Sequence, residues 1–258
     1  LITLEIARIM LSLTMLGYAS WRDLKRREVE DLTWIVFGVP GLTFNVYELL
    51  IGSTSPFQLI VPIVLATVLS FVLAYLGLFG GADFKAFVVL SILLPIPPQS
   101  IRPVSGFISV IYPLTLFSNS AVAGALMAIV MLMRNLLMAR RDGPLFEALE
   151  SESNLKKFVV LLSGTKVKLD AVRGPPFQYP LEKPVGGDAS RRQLVLMPNT
   201  EDDNAAIETF QLLKREGINE VWVSHTLPFI VFITFGYFSS LIVGDLVLWF
   251  LKWALFTV

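Results

Sequence analysis

The chain has 258 residues, 54% of them hydrophobic and 16% charged, with a mean hydropathy of +0.67 and a formal net charge of zero. That balance lies outside the soluble globular range and indicates a polytopic membrane protein, and the absence of net positive charge argues against nucleic acid as a partner. With no cysteine and the single histidine His225, disulfides, thiol catalysis and Cys-ligated or His/Cys/Cys metal centres are excluded; no metal or other cofactor is expected, and the chemistry has to rest on carboxylates, hydroxyls, amines or the backbone.

A membrane helix needs about 20 mainly apolar residues, and stretches of that kind occur at 2–21, 32–51 and 57–79. The first is not followed by a small-residue cleavage site and is expected to remain as a helix. Residues 84–96 predict a short fourth helix, ending in the Pro-rich outer loop "PIPPQSIRP". A fifth helix is expected at 113–138, preceded by an interfacial segment, and a sixth at 227–250.

Orientation follows from where the basic residues fall. Arg22, Lys25, Arg26 and Arg27 follow the first span, the loop after the second has no Lys or Arg, and Arg134, Arg140 and Arg141 close the fifth. The N-terminus is therefore expected outside, with the short basic loop and residues 80–85 on the cytoplasmic side of a cell membrane.

Beyond Arg140 the composition turns charged and polar up to Ser224. The runs "FVVLLSG", "KVKLDAV", "RQLVLMP" and "EVWVSH" predict strands, and "DNAAIETFQLLKREGINE" predicts a single amphipathic helix capped at Gly217. The segment "RGPPFQYPLEKPVGGD", with its four prolines, is expected as a loop. The predicted architecture is a polytopic α-helical membrane protein of six transmembrane helices, with a small, mostly β (α+β) cytoplasmic domain inserted before the last. Its limits are 1–138 for helices one to five, 139–224 for the soluble domain and 225–258 for helix six.

In this topology Asp23 lies just past the cytoplasmic end of the first span and Asp83 at the cytoplasmic start of the fourth. Two carboxylates at one depth on neighbouring helices suit water-activating proteolysis, with one ionised as general base and the other protonated toward the scissile carbonyl. Burial and like-charge proximity separate the two titrations. Gly80, Gly81 and Ala82 have nothing beyond a methyl, which lets an extended substrate lie beside Asp83. The competing explanation is ordinary: Asp83 as an acid favoured at a helix N-terminus and Asp23 as one charge of a solvated loop.

"GGAD", residues 80–83, together with "WRDLKRREVEDLTW" after the first span, resembles the archaeal preflagellin (prearchaellin) peptidase family, GxGD-type membrane aspartic proteases related to the type IV prepilin peptidases. The resemblance covers the whole plan of spans, aspartates and soluble insertion. It implies that Asp23 and Asp83 form the catalytic dyad and that Gly80 and Ala82 are the signature positions, Ala82 standing where many relatives have a second glycine. It further implies cleavage of a short basic leader (class III signal peptide) from archaellin or type IV pilin-like precursors at the cytoplasmic face. Glu28, Glu30 and Asp31 are then candidate partners for the basic residues of such a leader. The four-cysteine zinc domain and the N-methylation of some bacterial relatives are not supported, since this chain has no cysteine and a short first loop.

Two other classes stay open: a small ion- or proton-coupled transporter using Asp83 and Asp245, and a catalytically silent scaffold. Asp245, in "LIVGDLVLWF", is an intramembrane ionisable residue expected to have a structural hydrogen-bonding role. Glu5 and Arg8 are expected to pair locally, with Arg8 snorkelling to the surface. Lys85 is expected beside Asp83 or the headgroups, and Trp21, Trp34, Trp249 and Trp253 fit an interfacial belt.

Overall fold

In the computed structural model, which describes residues 2–147, 149–185, 188–200, 202–225 and 228–256, the first apolar stretch forms α1 (Ile2–Arg26) and carries the helix past Trp21 to include Asp23. α2 (Asp31–Leu50), α3 (Pro56–Tyr75) and the short α4 (Gly81–Leu93) follow, then the long α5 (Tyr112–Asp142). α8 (Phe229–Ile242) and α9 (Leu246–Phe256) end the chain; Leu227, the expected start of the last span, lies outside the described residues. Among the described residues, α1, α3 and α5 are long and apolar enough to cross a membrane, and α8 with α9 adds a fourth if that pair is one span.

The chain divides into two units, Leu1–Gly124 with Pro228–Val258, and Ala125–Leu227. In the first, α4 is the hub and packs against α1, α2, α3 and α8. This explains why it is apolar all round: Ala86, Phe87, Val89, Leu90 and Leu93 are all buried. α2 approaches it closely through two glycines, and a Cβ at Gly41 would come within 3.1 Å of Ile92 and Leu93. The opposite face of α2 exposes Ile35, Val36, Val39, Leu42 and Val46, as a lipid-facing helix does.

The end of α4 corrects the expected Glu5–Arg8 pair. Arg8 is only 4% exposed, and its guanidinium turns inward, donating to Leu93 O at 2.8 Å, Asn45 Oδ1 at 2.9 Å and Glu48 Oε2 at 3.0 Å. Asn45 Nδ2 donates to Ile92 O at 3.0 Å. Arg8 thus caps the C-terminal carbonyls of α4, where a cation is favoured by the helix dipole. Glu5 instead accepts from Ser100 N at 3.2 Å.

The stretch expected as a sixth span is not one continuous helix. α8 and α9 meet at a 58° bend built around Gly244, whose φ of +100° admits no side chain without strain. Asp245 Oδ2 accepts from Thr115 Oγ1 at 2.8 Å and Ser118 Oγ at 3.2 Å, and Asp245 Oδ1 accepts from Leu248 N at 3.0 Å. Asn119 donates to Gly244 O at 2.8 Å and accepts from Leu246 N at 2.9 Å. The break is therefore a joint whose freed backbone groups find side-chain partners.

In the second unit, "FVVLLSG" is mostly helical: α6 (Asn154–Ser163) begins where Ser153 Oγ accepts from Lys156 N, and its capping decides against a strand. The Pro-rich loop also departs from expectation, since it contains β2 (Gln178–Pro180) and β3 (Glu182–Val185). β1 (Gly164–Lys168) and β2 flank β5 (Glu220–His225) in an antiparallel sheet, and β3 pairs with β4 (Asp188–Leu194) as a hairpin. α7 (Asp203–Arg215) is the expected amphipathic helix, with Gly217 at φ +73° after its end. Trp222 is fully buried, stacks on Phe146 with centroids 5.0 Å apart, and donates its backbone N–H to Glu182 Oε1 at 2.8 Å. Burial pushes the Glu182 carboxyl above the usual carboxylate range, against the pull of the adjacent Arg192 guanidinium.

α8 crosses α5 through Gly236, where a Cβ would fall 2.7 Å from Ser120 N and 2.9 Å from Leu116 O. Gly236→Ala is expected to destabilise the protein by about 1–3 kcal/mol through overpacking. At Gly124 a Cβ would meet Phe229 and Phe232 at an ordinary 3.7 Å, so Gly124→Ala should leave the unfolding temperature in detergent unchanged or slightly raised.

Candidate active site

The sequence "LGLFGGAD" works as a stop, a turn and a start. Gly77, at φ +71°, ends α3 in the left-handed conformation, and the N–H groups of Leu78 and Phe79 return to Leu73 O at 2.9 and 3.2 Å. Phe79 then turns inward, its ring 4.8 Å from Phe229 and 5.7 Å from Phe87. Gly80 serves as the N-cap of α4 and Asp83 as its third residue.

Asp83 is half-buried, and its Oδ2 accepts the backbone N–H of Gly80 at 2.9 Å. The backbone amide of Ile230, in the first turn of α8, also faces this carboxylate. Asp23 lies on the last turn of α1, only 9% exposed. α1 and α4 pack together. The two aspartates therefore occupy one end of the same helical unit, on different helices.

Gly80 and Gly81 are exposed beside Asp83, and Ala82 is half-buried against the core. A Cβ on Gly80 would sit 3.3 Å from Asp83 Oδ2, whereas one on Gly81 would meet nothing within 4 Å. Of the acids expected to meet a basic segment, Glu30 is ion-paired to Arg22, and Asp31 to Lys85 at 2.5 Å. Lys85 thus reaches α2 and not Asp83. Glu28 is exposed.

Two features were beyond sequence reasoning. Arg27 takes a φ of +58° directly after α1, and its backbone N–H donates to Asp23 O at 2.9 Å. The start of α8 comes to Asp83 from almost 150 residues further along the chain (230 − 83 = 147). Neither has a local signal, since a helix stop usually advertises itself by glycine. Asp245 lies past the far end of α8, and the twelve steps from Ile230 to Ile242 (242 − 230 = 12) already cover about 18 Å along the helix axis. Its carboxylate is occupied by Thr115, Ser118 and Leu248, so it takes no part in this site. Among the described residues no three His, Cys, Asp or Glu side chains gather in a way that could hold a metal ion.

Residues 10–133, which include both aspartates, match the model of the Type IV leader peptidase family, and residues 156–246 match that of the Archaeal Peptidase A24 C-terminus Type II. The chain is 24% identical over 242 residues to the preflagellin peptidase of Methanococcus maripaludis, covering 90% of this chain and 93% of that one. It is 26% identical over 242 residues to the preflagellin peptidase of Methanococcus voltae, covering 89% and 92%. To that of Methanocaldococcus jannaschii it is 26% identical over 235 residues, covering 88% and 89%.

The glycine geometry gives a paired test. Gly80→Ala presses on the Asp83 carboxylate and is expected to lower kcat by roughly tenfold or more without lowering the unfolding temperature. Gly81→Ala leaves the resting site untouched, so its effect should fall on KM, where a bound backbone would meet the new methyl. Equal kcat values for wild type and Gly80→Ala would remove Gly80 from the site.

Proposed function

From the premise that the chain belongs to the type IV leader peptidase family, we propose that it is a membrane aspartic endopeptidase which uses Asp23 and Asp83 to cut a short basic leader from archaellin or pilin-like precursors. The observation that supports the dyad is the placement of one buried and one half-buried carboxylate at one end of the unit, Asp23 in the last turn of α1 and Asp83 in the first turn of α4, helices that pack against each other.

In this mechanism a water between the aspartates gives a proton to the ionised carboxylate as its oxygen attacks the scissile carbonyl carbon. The protonated carboxyl meanwhile donates a hydrogen bond to the carbonyl oxygen, where negative charge develops. Collapse of the tetrahedral intermediate breaks the C–N bond, and the departing amine takes up a proton. The open edge at Gly80 and Gly81 gives room for an extended substrate backbone. Glu28, Glu30 and Asp31 supply negative charge for the basic leader; Glu30 and Asp31 would exchange their present partners, Arg22 and Lys85, for it.

The topology we assign has six crossings, α1, α2, α3, α4, α5 and the α8–α9 pair, in the cell membrane. Its N-terminus is outside, while the dyad and residues 139–224 are on the cytoplasmic side. The basic loop after α1 supports this orientation. The lipid-facing apolar side of α2 supports counting it as a span despite its weaker hydropathy. Residues 1–138 and 225–258 then form the membrane part that holds the site. A transporter reading is not carried forward, because Asp245 is engaged at a structural joint remote from Asp83.

The test is cleavage of a membrane-inserted archaellin precursor by purified protein in detergent, read by product mass. Asp23→Asn and Asp83→Asn are each expected to reduce cleavage roughly 10²–10⁴-fold while unfolding as wild type does. Cleavage at the wild-type rate by either variant would sink the dyad.

A further inference from the structure

α6 is apolar on two sides. One side faces into its own unit: Val160 is fully buried in the core with Leu145, Leu181 and Trp222, and Leu161 packs against the same cluster. The other side is a stripe at helical spacing, Leu155, Phe158, Val159 and Leu162, turned away from that core. Leu155 is 71% and Phe158 49% exposed, while Val159 and Leu162 are half-buried. A helix resting on a soluble domain turns charged and polar residues outward. Here the two lysines are engaged off the stripe. Lys156 pairs with Glu152 at 2.9 Å, and Lys157 donates to Glu150 O at 3.0 Å with its ammonium over the Phe146 ring.

The level of α6 is set by α5, which belongs to the same unit from Ala125 onward. Asn135 is fully buried, and its Nδ2 donates to Leu161 O at 2.9 Å and to Gly164 O at 2.8 Å, which ties the C-terminal end of α6 to that turn of α5. α5 is long and apolar enough to cross a membrane, and Leu126, Ile129, Val130, Met133 and Leu137 form its outward stripe. That stripe ends in the exposed Arg140 and Arg141, and Arg134 is exposed beside Asn135. Basic residues of this kind mark where a span leaves hydrocarbon for headgroups. The seven steps from Arg134 to Arg141 (141 − 134 = 7) cover about 10 Å along the axis, comparable with the depth to which an interfacial helix sinks its apolar face.

We propose that α6 is an interfacial helix: the stripe of Leu155, Phe158, Val159 and Leu162 is sunk into the headgroup layer at the cytoplasmic end of α5, and what covers it is lipid. Its attachment to α5 at the level of the arginines selects lipid over a partner protein. The unit then meets the membrane at a second place besides α5. This inference rests on α5 being a span with the orientation given above.

The chain contains no cysteine, so single cysteines can be introduced and labelled with an environment-sensitive fluorophore. Leu155→Cys and Phe158→Cys test the stripe, Val130→Cys tests α5, and Glu208→Cys, exposed on α7, is the control for water. Each labelled protein is reconstituted in phosphatidylcholine vesicles containing lipid brominated either near the headgroup or near the chain ends. The labels at 155 and 158 should be quenched at least roughly twofold more than the label at 208, and more by the shallow bromines than by the deep ones. The label at 130 should be quenched as well. If it is, while 155 and 158 report water as 208 does, the inference falls and the span stands. If the label at 130 is not quenched, the reading of α5 as a span fails and takes α6 with it. Labels at 155 and 158 that escape quenching but shift to the blue as protein is raised against lipid would show a second copy on this face and overturn the inference. Equal quenching at 155, 158 and 208 would overturn it too, because the stripe would then have no preference for lipid.

Discussion

The contact between the Arg8 guanidinium and the last carbonyls of α4 sets the terms for the rest of the helical unit. α4 has 13 residues, about 20 Å of helix, and its last carbonyls, Ile92 O and Leu93 O, end against side chains of α1 and α2. The carbonyls that end a helix have no partner within it and need donors from outside. Arg8 and Asn45 satisfy them, and Glu48 balances the buried charge. An arrangement of this kind is worth most as a means of fixing position, since removing either partner leaves an uncompensated charge or an orphaned carbonyl.

The other end of the same helix is held by Asp83, which accepts from Gly80 N. α4 is thus closed by the Arg8 guanidinium at its C-terminus and by the Asp83 carboxyl at its N-terminus, the ends at which the dipole favours a cation and an acid respectively. The surrounding aromatic rings of Phe79, Phe87 and Phe229 make the turn before Gly80 a packed element and keep the carboxylate at a set place beside α8.

Much of this was readable from the chain because its cause is local. Apolar stretches bounded by basic residues marked the helices, and the small residues before Asp83 marked an open helix start. What escaped depended on distant partners. Arg8 finds Glu48 and not Glu5 because a charge within a bundle is better served by buried acceptors forty residues away than by a neighbour at the surface. The apolar run 158–162 is compatible with either a strand or a buried helix, and only the capping by Ser153 resolves it. Prolines masked β2 and β3, although Pro180 and Pro184 sit in strands that are short and, in the case of β2, at a sheet edge. The break at Gly244 and the turn at Arg27 are conformations imposed by neighbours, Phe107 and Asn119 in one case and the end of α1 beside Asp23 in the other.

The short link between α3 and α4 has a mechanical meaning. Residues 76–79 are tied back to α3 through Val72 O, Leu73 O and Ala74 O, so little slack separates the end of one helix from the start of the next. α3 presents Phe57, Ile60, Val64, Val68 and Phe71 outward along its length, as a helix matched to lipid does. A helix of this sort answers a thinner or thicker bilayer by tilting. Through so tight a link, that tilt is passed to the first turn of α4 and hence to Asp83. On the dyad and topology proposed above, membrane thickness becomes a variable of catalysis, and vesicles of short-chain and long-chain lipids would run the same set of side chains at different rates.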